Sequence, residues 1–120
     1  MTAYAFRLPI RIVSVANARE HWSAKAKRAK DHRFTAYMAT RAWLRGRKLP
    51  RPIEVTLTRL APRKLDGDNL QSAFKALRDG VADALAIDDG SAEATWLYEQ
   101  RVGKPREYAA IVTIQPRGTT

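Results

Sequence analysis

The segment LDGDNLQSAFKALRDGVADALAIDDG, residues 65–90, holds six of the chain's twelve acidic residues, four of them at its two ends. Asp66 and Asp68 open it, and Asp88 and Asp89 close it. Carboxylates held close together repel, so the grouping calls for turn chemistry, a cation, or both. Two Asp placed two residues apart on a strand-to-helix turn can aim oxygens at one point. Mg²⁺ takes a few carboxylates and completes its shell with water and substrate phosphate. The competing reading is a turn with a helix cap. Asp68 or Asn69 would then accept backbone N–H groups from Leu70 to Ser72, with Gly67 supplying a flexible φ. That accounts for one acid and leaves the other. A calcium loop of the EF-hand type is excluded: Leu70 takes a ligand position, Gln71 replaces the turn glycine, and Leu77 replaces the closing Glu. Asp88–Asp89–Gly90 has the same two readings, an Asp-Gly turn or part of a metal site. A helix of roughly 17 residues between the pairs carries the chain about 25 Å. For Asp89 to join Asp66 and Asp68, the chain must fold back or the site must form across a subunit boundary.

The charge around these acids is lopsided. Residues 1–50 hold twelve Lys and Arg against Glu20 and Asp31, whereas the remainder is balanced, so the whole net charge of +10 sits in the first half. Blocks such as AKAKRAKDHR suit a polyanion, and they also suit a solvated helix face. There are no cysteines and two histidines, His21 and His32, which excludes disulfides and thiolate metal sites and disfavours a multi-histidine zinc site. No apolar run approaches 18 residues, so no membrane span is expected. MTAYAFRLPIRIV carries Arg7 and Arg11, which does not fit a signal peptide. A cytoplasmic protein is the expectation.

These residues need elements to position them. Tyr4, Phe6, Leu8, Ile10 and Ile12 alternate as a strand does, with Pro9 demoting part of it to an edge or bend. From about Arg19 to Arg45 the composition is helical. Trp22, Ala26, Ala29, Phe34, Tyr37, Met38 and Leu44 give an approximate apolar stripe, broken enough to allow two helices. IEVTLTRL alternates Val55 and Leu57 against Glu54, Thr56 and Thr58, a second strand. From Asn69, the residues Leu70, Phe74, Leu77, Val81, Ala84 and Leu85 step by three and four, so a helix lies on a sheet, with Gly80 a place for a bend. TWLYEQRV and REYAAIVTIQ make two further strands around a Gly103–Lys104–Pro105 turn. One domain over residues 1–120 is expected. Its class is α+β: a mixed β-sheet with two main helices packed on it, in the order β-α-β-α-β-β.

Asp-x-Asp-Asn-Leu opening a helix, followed some twenty residues later by Asp-Asp before a strand, resembles the RusA family of Holliday junction resolvases. The basic N-terminal section with NAREHW and the closing strand pair match as well, so the likeness spans most of the chain. The resemblance implies a single RusA-like endonuclease domain acting as a homodimer in Mg²⁺-dependent cleavage of branched DNA, four-way junctions included, with Mn²⁺ a possible substitute. It places the metal carboxylates on Asp66, Asp68 and Asp89, with Asn69 beside them on the DNA. One departure stands out: the lysine that the family carries four residues after the second Asp is Ser72 here. Lys75, one turn on and within about 60° of Ser72, is the substitute the helix offers. Arg63 and Lys64, with Lys25, Lys27, Arg28 and Lys30, would hold the flanking DNA backbone, contacts that give affinity without sequence information. Trp22 reads as a core or interface residue in preference to a base-stacking one. The alternative is a non-catalytic DNA-binding protein, a degenerate resolvase whose acids are caps and turns.

Overall fold

A computed structural model describes residues 4–14, 21–88 and 90–118. The elements run β1 (Ala5–Leu8), α1 (Trp22–Leu44), β2 (Ile53–Ala61), α2 (Gly67–Ala73), α3 (Lys75–Leu85), β3 (Ala94–Val102) and β4 (Ala109–Pro116). One mixed sheet has the strand order β1-β4-β2-β3. β2 runs parallel to β3 and antiparallel to β4, and β4 is antiparallel to β1. The fold is α+β, as the alternation of patterns predicts. β3 and β4 follow one another in the chain but are not neighbours, because β4 enters between β1 and β2.

The registers put the apolar residues on one face. Val55 lies between Trp96 and Ile114, and Leu57 between Tyr98 and Val112. These residues meet Phe74, Leu77 and Val81 in the core, where Phe74, Leu77, Leu57 and Val112 are wholly buried. Fully burying one such side chain contributes about 1.5–3 kcal/mol. β2 is central and buried almost throughout, so Thr56, Thr58 and Arg59 are covered as well. Alternation in its sequence marks which face meets the helices, and central placement buries the other face too.

The second helix is not continuous. α2 ends at Phe74 (φ −88°, ψ −5°), whose N–H is shared between the Leu70 and Gln71 carbonyls at 3.2 Å each. The change of direction falls there, not at Gly80. Gly80 is buried for another reason: a Cβ on it would overlap the Arg33 carbonyl oxygen and lie 2.9 Å from the Ala36 Cβ. α1 and α3 therefore touch through their backbones, which only a glycine opposite a small residue permits.

That contact corrects the expected α1 stripe. α1 is one helix of 23 residues, and its buried residues are Ala36 and Thr40. Trp22 is 74% exposed, Phe34 64% and Met38 51%, so Trp22 is no core residue. The closest face of a tightly packed helix is built from small side chains; Trp22, Phe34 and Met38 face outward, while Trp43 and Leu44 at the end of α1 pack partly buried against the core. No helix among the described residues is long and apolar enough to cross a membrane.

Candidate metal and nucleic-acid site

Asp66 and Asp68 stand on the turn that carries the chain from β2 into α2. Asp66 is the N-cap residue (φ −63°, ψ 151°), yet its carboxylate makes no capping hydrogen bond; Asp68 lies in the first helical turn. Both are exposed. The ion pairs among the described residues join other groups. The expectation that Asp68 or Asn69 is the cap is thus corrected: Asp66 occupies that position, and its oxygens are not used there.

The loop leading to Asp66 is pinned from the sheet. Gln100 of β3 grips Leu65 with both ends of its amide: Leu65 N–H donates to Oε1 and Nε2 donates to the Leu65 carbonyl, each at 2.8 Å. Arg59 of β2, 7% exposed, donates from Nε to the Ile12 carbonyl at 2.8 Å and from Nη1 to the carbonyl of Arg63. Burial lowers the Arg59 pKa from the usual arginine value, with Tyr108 opposing the shift and Arg11 adding to it. Neither Gln100 nor Arg59 was picked out by residue type. The alternation of β2 and β3 would place them on the helix side of the sheet, but not against this loop.

Basic residues of α1 face α2 and α3. A cleft of about 520 Å³ between α1 and α2–α3 is lined by Lys25, Arg28 and His32 on one side, and by Ser72, Lys75 and Asp79 on the other. Residues 25, 28 and 32 share one helix face. Lys27 and Lys30 point roughly the opposite way. Both are exposed, and Lys27 Nζ pairs with Asp31 Oδ2 at 2.8 Å. The basic block is thereby divided between the cleft and open solvent. His32, which sequence reasoning passed over, was legible as the i+4 neighbour of Arg28. Burial, then the Arg28 charge, lowers its pKa, with Asp31 opposing.

The remaining expected residues are placed as follows. Arg63 and Lys64 are exposed on the pinned loop, and Asn69 is half-buried beside Asp68. Ser72 donates its hydroxyl hydrogen to the Asp68 carbonyl at 3.2 Å. Lys75 begins α3, with Nζ 3.4 Å from Asp79 Oδ2, one turn further along its own helix from the acid pair. Asp88 is exposed in the connection from α3 to β3. Because β2 and β3 are parallel, Ile53 pairs with Ala94 and Ala61 with Val102. Asp88 therefore sits by the start of β2, and Asp66 and Asp68 sit beyond its end. Nine residues of strand at about 3.3 Å each separate the two places by roughly 30 Å. Asp89 lies outside the described residues. Among the described residues, no three His, Asp or Glu side chains group around one point.

The site and fold define an α+β domain with an acid pair at the carboxyl end of a parallel strand pair, flanked by arginine and lysine. No family model matches the chain. A protein of Xylella fastidiosa (strain Temecula1), described as uncharacterized, is 36% identical over 105 residues, covering 81% of this chain and 67% of its own length. The chain belongs to the same family as that protein.

Proposed function

We propose that the chain is a metal-dependent, structure-selective DNA endonuclease of the RusA resolvase type. The observation that carries this reading is the exposed Asp66–Asp68 pair, free of capping and ion-pairing duties among the described residues, beside Arg63 and Lys64. The donor set fits a hard divalent cation, since two carboxylates leave room for water and a phosphate oxygen. Asp66 and Asp68 would hold Mg²⁺, or Mn²⁺ in its place. Such an ion supplies a nucleophilic water near neutral pH and neutralises charge on the scissile phosphate. Arg63, Lys64, Lys25 and Arg28 bind the flanking backbone, and Gln100 and Arg59 hold the acid-bearing loop in register. The resemblance assigns Asp89 to the same site, and a homodimer would set two such sites against a two-fold symmetric junction. Lys75 serves as the electrostatic partner of the phosphate if substrate draws it from Asp79.

A second reading has its own support. Ser72 stands where the resolvase lysine belongs, and Lys75 is engaged with Asp79; a junction-binding protein that no longer cuts would look like this. A synthetic four-way junction incubated with Mg²⁺, with Mn²⁺ or with EDTA separates the two. The endonuclease reading expects metal-dependent nicks, abolished in Asp68→Asn by roughly 10²-fold or more, with junction binding retained and melting nearly unchanged. Tight binding without cleavage in any metal leaves the binder; cleavage by Asp68→Asn at the wild-type rate removes Asp68 from the site.

A further inference from the structure

A small pocket of about 170 Å³ opens at the carboxyl end of β2, bounded by Arg11, Arg59, Ala61, Pro62, Arg63 and Tyr108. Three of its six lining residues are arginines, and no carboxylate lines it among the described residues. The Arg11 guanidinium lies over the Tyr108 ring, 4.1 Å from its centroid. Arg59 is buried at 7% exposure, and its two recorded hydrogen bonds go to neutral backbone carbonyls, which orient the guanidinium without cancelling its charge. Holding a desolvated cation beside two others is costly unless an anion completes the set. A guanidinium fork matches the oxygens of phosphate, and an arginine already fixed by other bonds loses little freedom on binding one. The volume admits one tetrahedral oxyanion with a few waters of about 30 Å³ each.

We propose that Arg11, Arg59 and Arg63, with the Tyr108 hydroxyl, form a phosphate subsite that seats a backbone phosphodiester beside the one attacked at Asp66 and Asp68. Only Lys64 and Leu65 separate Arg63 from Asp66, and Arg59 holds the loop between them, so a strand leaving the acid pair meets the pocket next. The subsite rests on the nucleic-acid reading of the acid turn and shares Arg63 with the flanking contacts proposed there, but phosphate binding in the pocket is a property of its own and is tested separately.

The test uses the double variant Arg11→Gln/Arg63→Gln, both positions being exposed, and keeps Arg59 because its hydrogen bonds hold the loop. The control, Arg45→Gln/Lys48→Gln, removes the same charge from the segment after α1. Thermal unfolding is followed with and without inorganic phosphate at constant ionic strength, and four-way junction affinity is measured across a salt series. Phosphate is expected to raise the melting temperature of wild type and control, but not of the double variant. Junction affinity at low salt should fall about ten-fold in the double variant, and its plot of log affinity against log salt should be shallower by about one unit than the control's. If the double variant matches the control in both measurements while junctions still bind and are cut, the subsite is overturned and the endonuclease reading stands. If phosphate acts through the pocket but no junction binds, the phosphate site stands, and its nucleic-acid occupant and the endonuclease reading both fall.

Discussion

At the scale of residues, the acid turn is held by partners that carry no obvious chemistry. Gln100 and Arg59 satisfy backbone groups of residues 63 and 65, and that hydrogen bonding, not a helix cap, sets where Asp66 begins. His32 makes a different local prediction. Its folded pKa is lowered by burial and by Arg28, with Asp31 opposing, while Lys25, Lys75 and Asp79 line the same cleft. The unfolded chain therefore binds a proton near pH 6.5 that the folded chain resists. The stability associated with neutral His32 is present above about pH 6.5 and is lost as the pH falls through the folded value. Urea unfolding at pH 7 and pH 5 should show this loss, and His32→Gln should flatten it; an identical pH dependence in the variant would remove His32 as its cause.

At the scale of elements, the contact of α1 with α3 makes the sharpest prediction. In an exposed helix, Gly→Ala gains about 1 kcal/mol of helix propensity. At Gly80 the added methyl meets the Arg33 carbonyl and the Ala36 side chain, and overpacking of a close contact costs about 1–3 kcal/mol. The clash should win, because its nearest atom is backbone that cannot swing aside. Gly80→Ala is expected to lower stability by about 1–2 kcal/mol net, read by chemical denaturation, and a more stable variant would show that the helices can slide apart. A glycine inside a helical pattern reads equally well as a bend or as a packing contact. Only the helix lying across it decides, and here the bend falls six residues earlier, at Phe74.

At the scale of the whole molecule, charge is sorted by direction. Lys25 and Arg28 look into the cleft shared with Ser72 and Lys75, whereas Lys27 is engaged with Asp31 and Lys30 points to solvent. Lys25→Glu/Arg28→Glu should therefore weaken junction binding more than Lys27→Glu/Lys30→Glu, although each pair reverses the same charge. Equal losses in the two would mean that only total charge matters. Both variants should bind all sequences more weakly alike, with shallower salt dependence. The same scale governs Asp88: in a molecule 41 Å in its longest dimension, it lies about 30 Å from Asp66 and Asp68, at the opposite end of β2, and cannot share an ion with them within one copy.

The sequence by itself determined what depends on near neighbours. Period-two runs marked the strands, three-and-four spacing marked the helical run from Leu70 to Leu85 but not its break at Phe74, and Asp66, Asp68 and Asn69 were readable at its start because turn residues act within a few positions. Tertiary structure decided whatever depends on distant partners. β4 lies between β1 and β2 because strand order is set by pairing across the whole chain, which no local pattern encodes. α1 turns Ala36 and Thr40 inward and leaves Phe34 and Met38 outside, because the distance between two helix axes selects side-chain size over hydrophobicity. The split of the basic block, and the pocket of Arg11, Arg59, Arg63 and Tyr108, follow from the same cause: residues far apart in the chain become neighbours only when the sheet brings β2, β4 and the segment after β1 together.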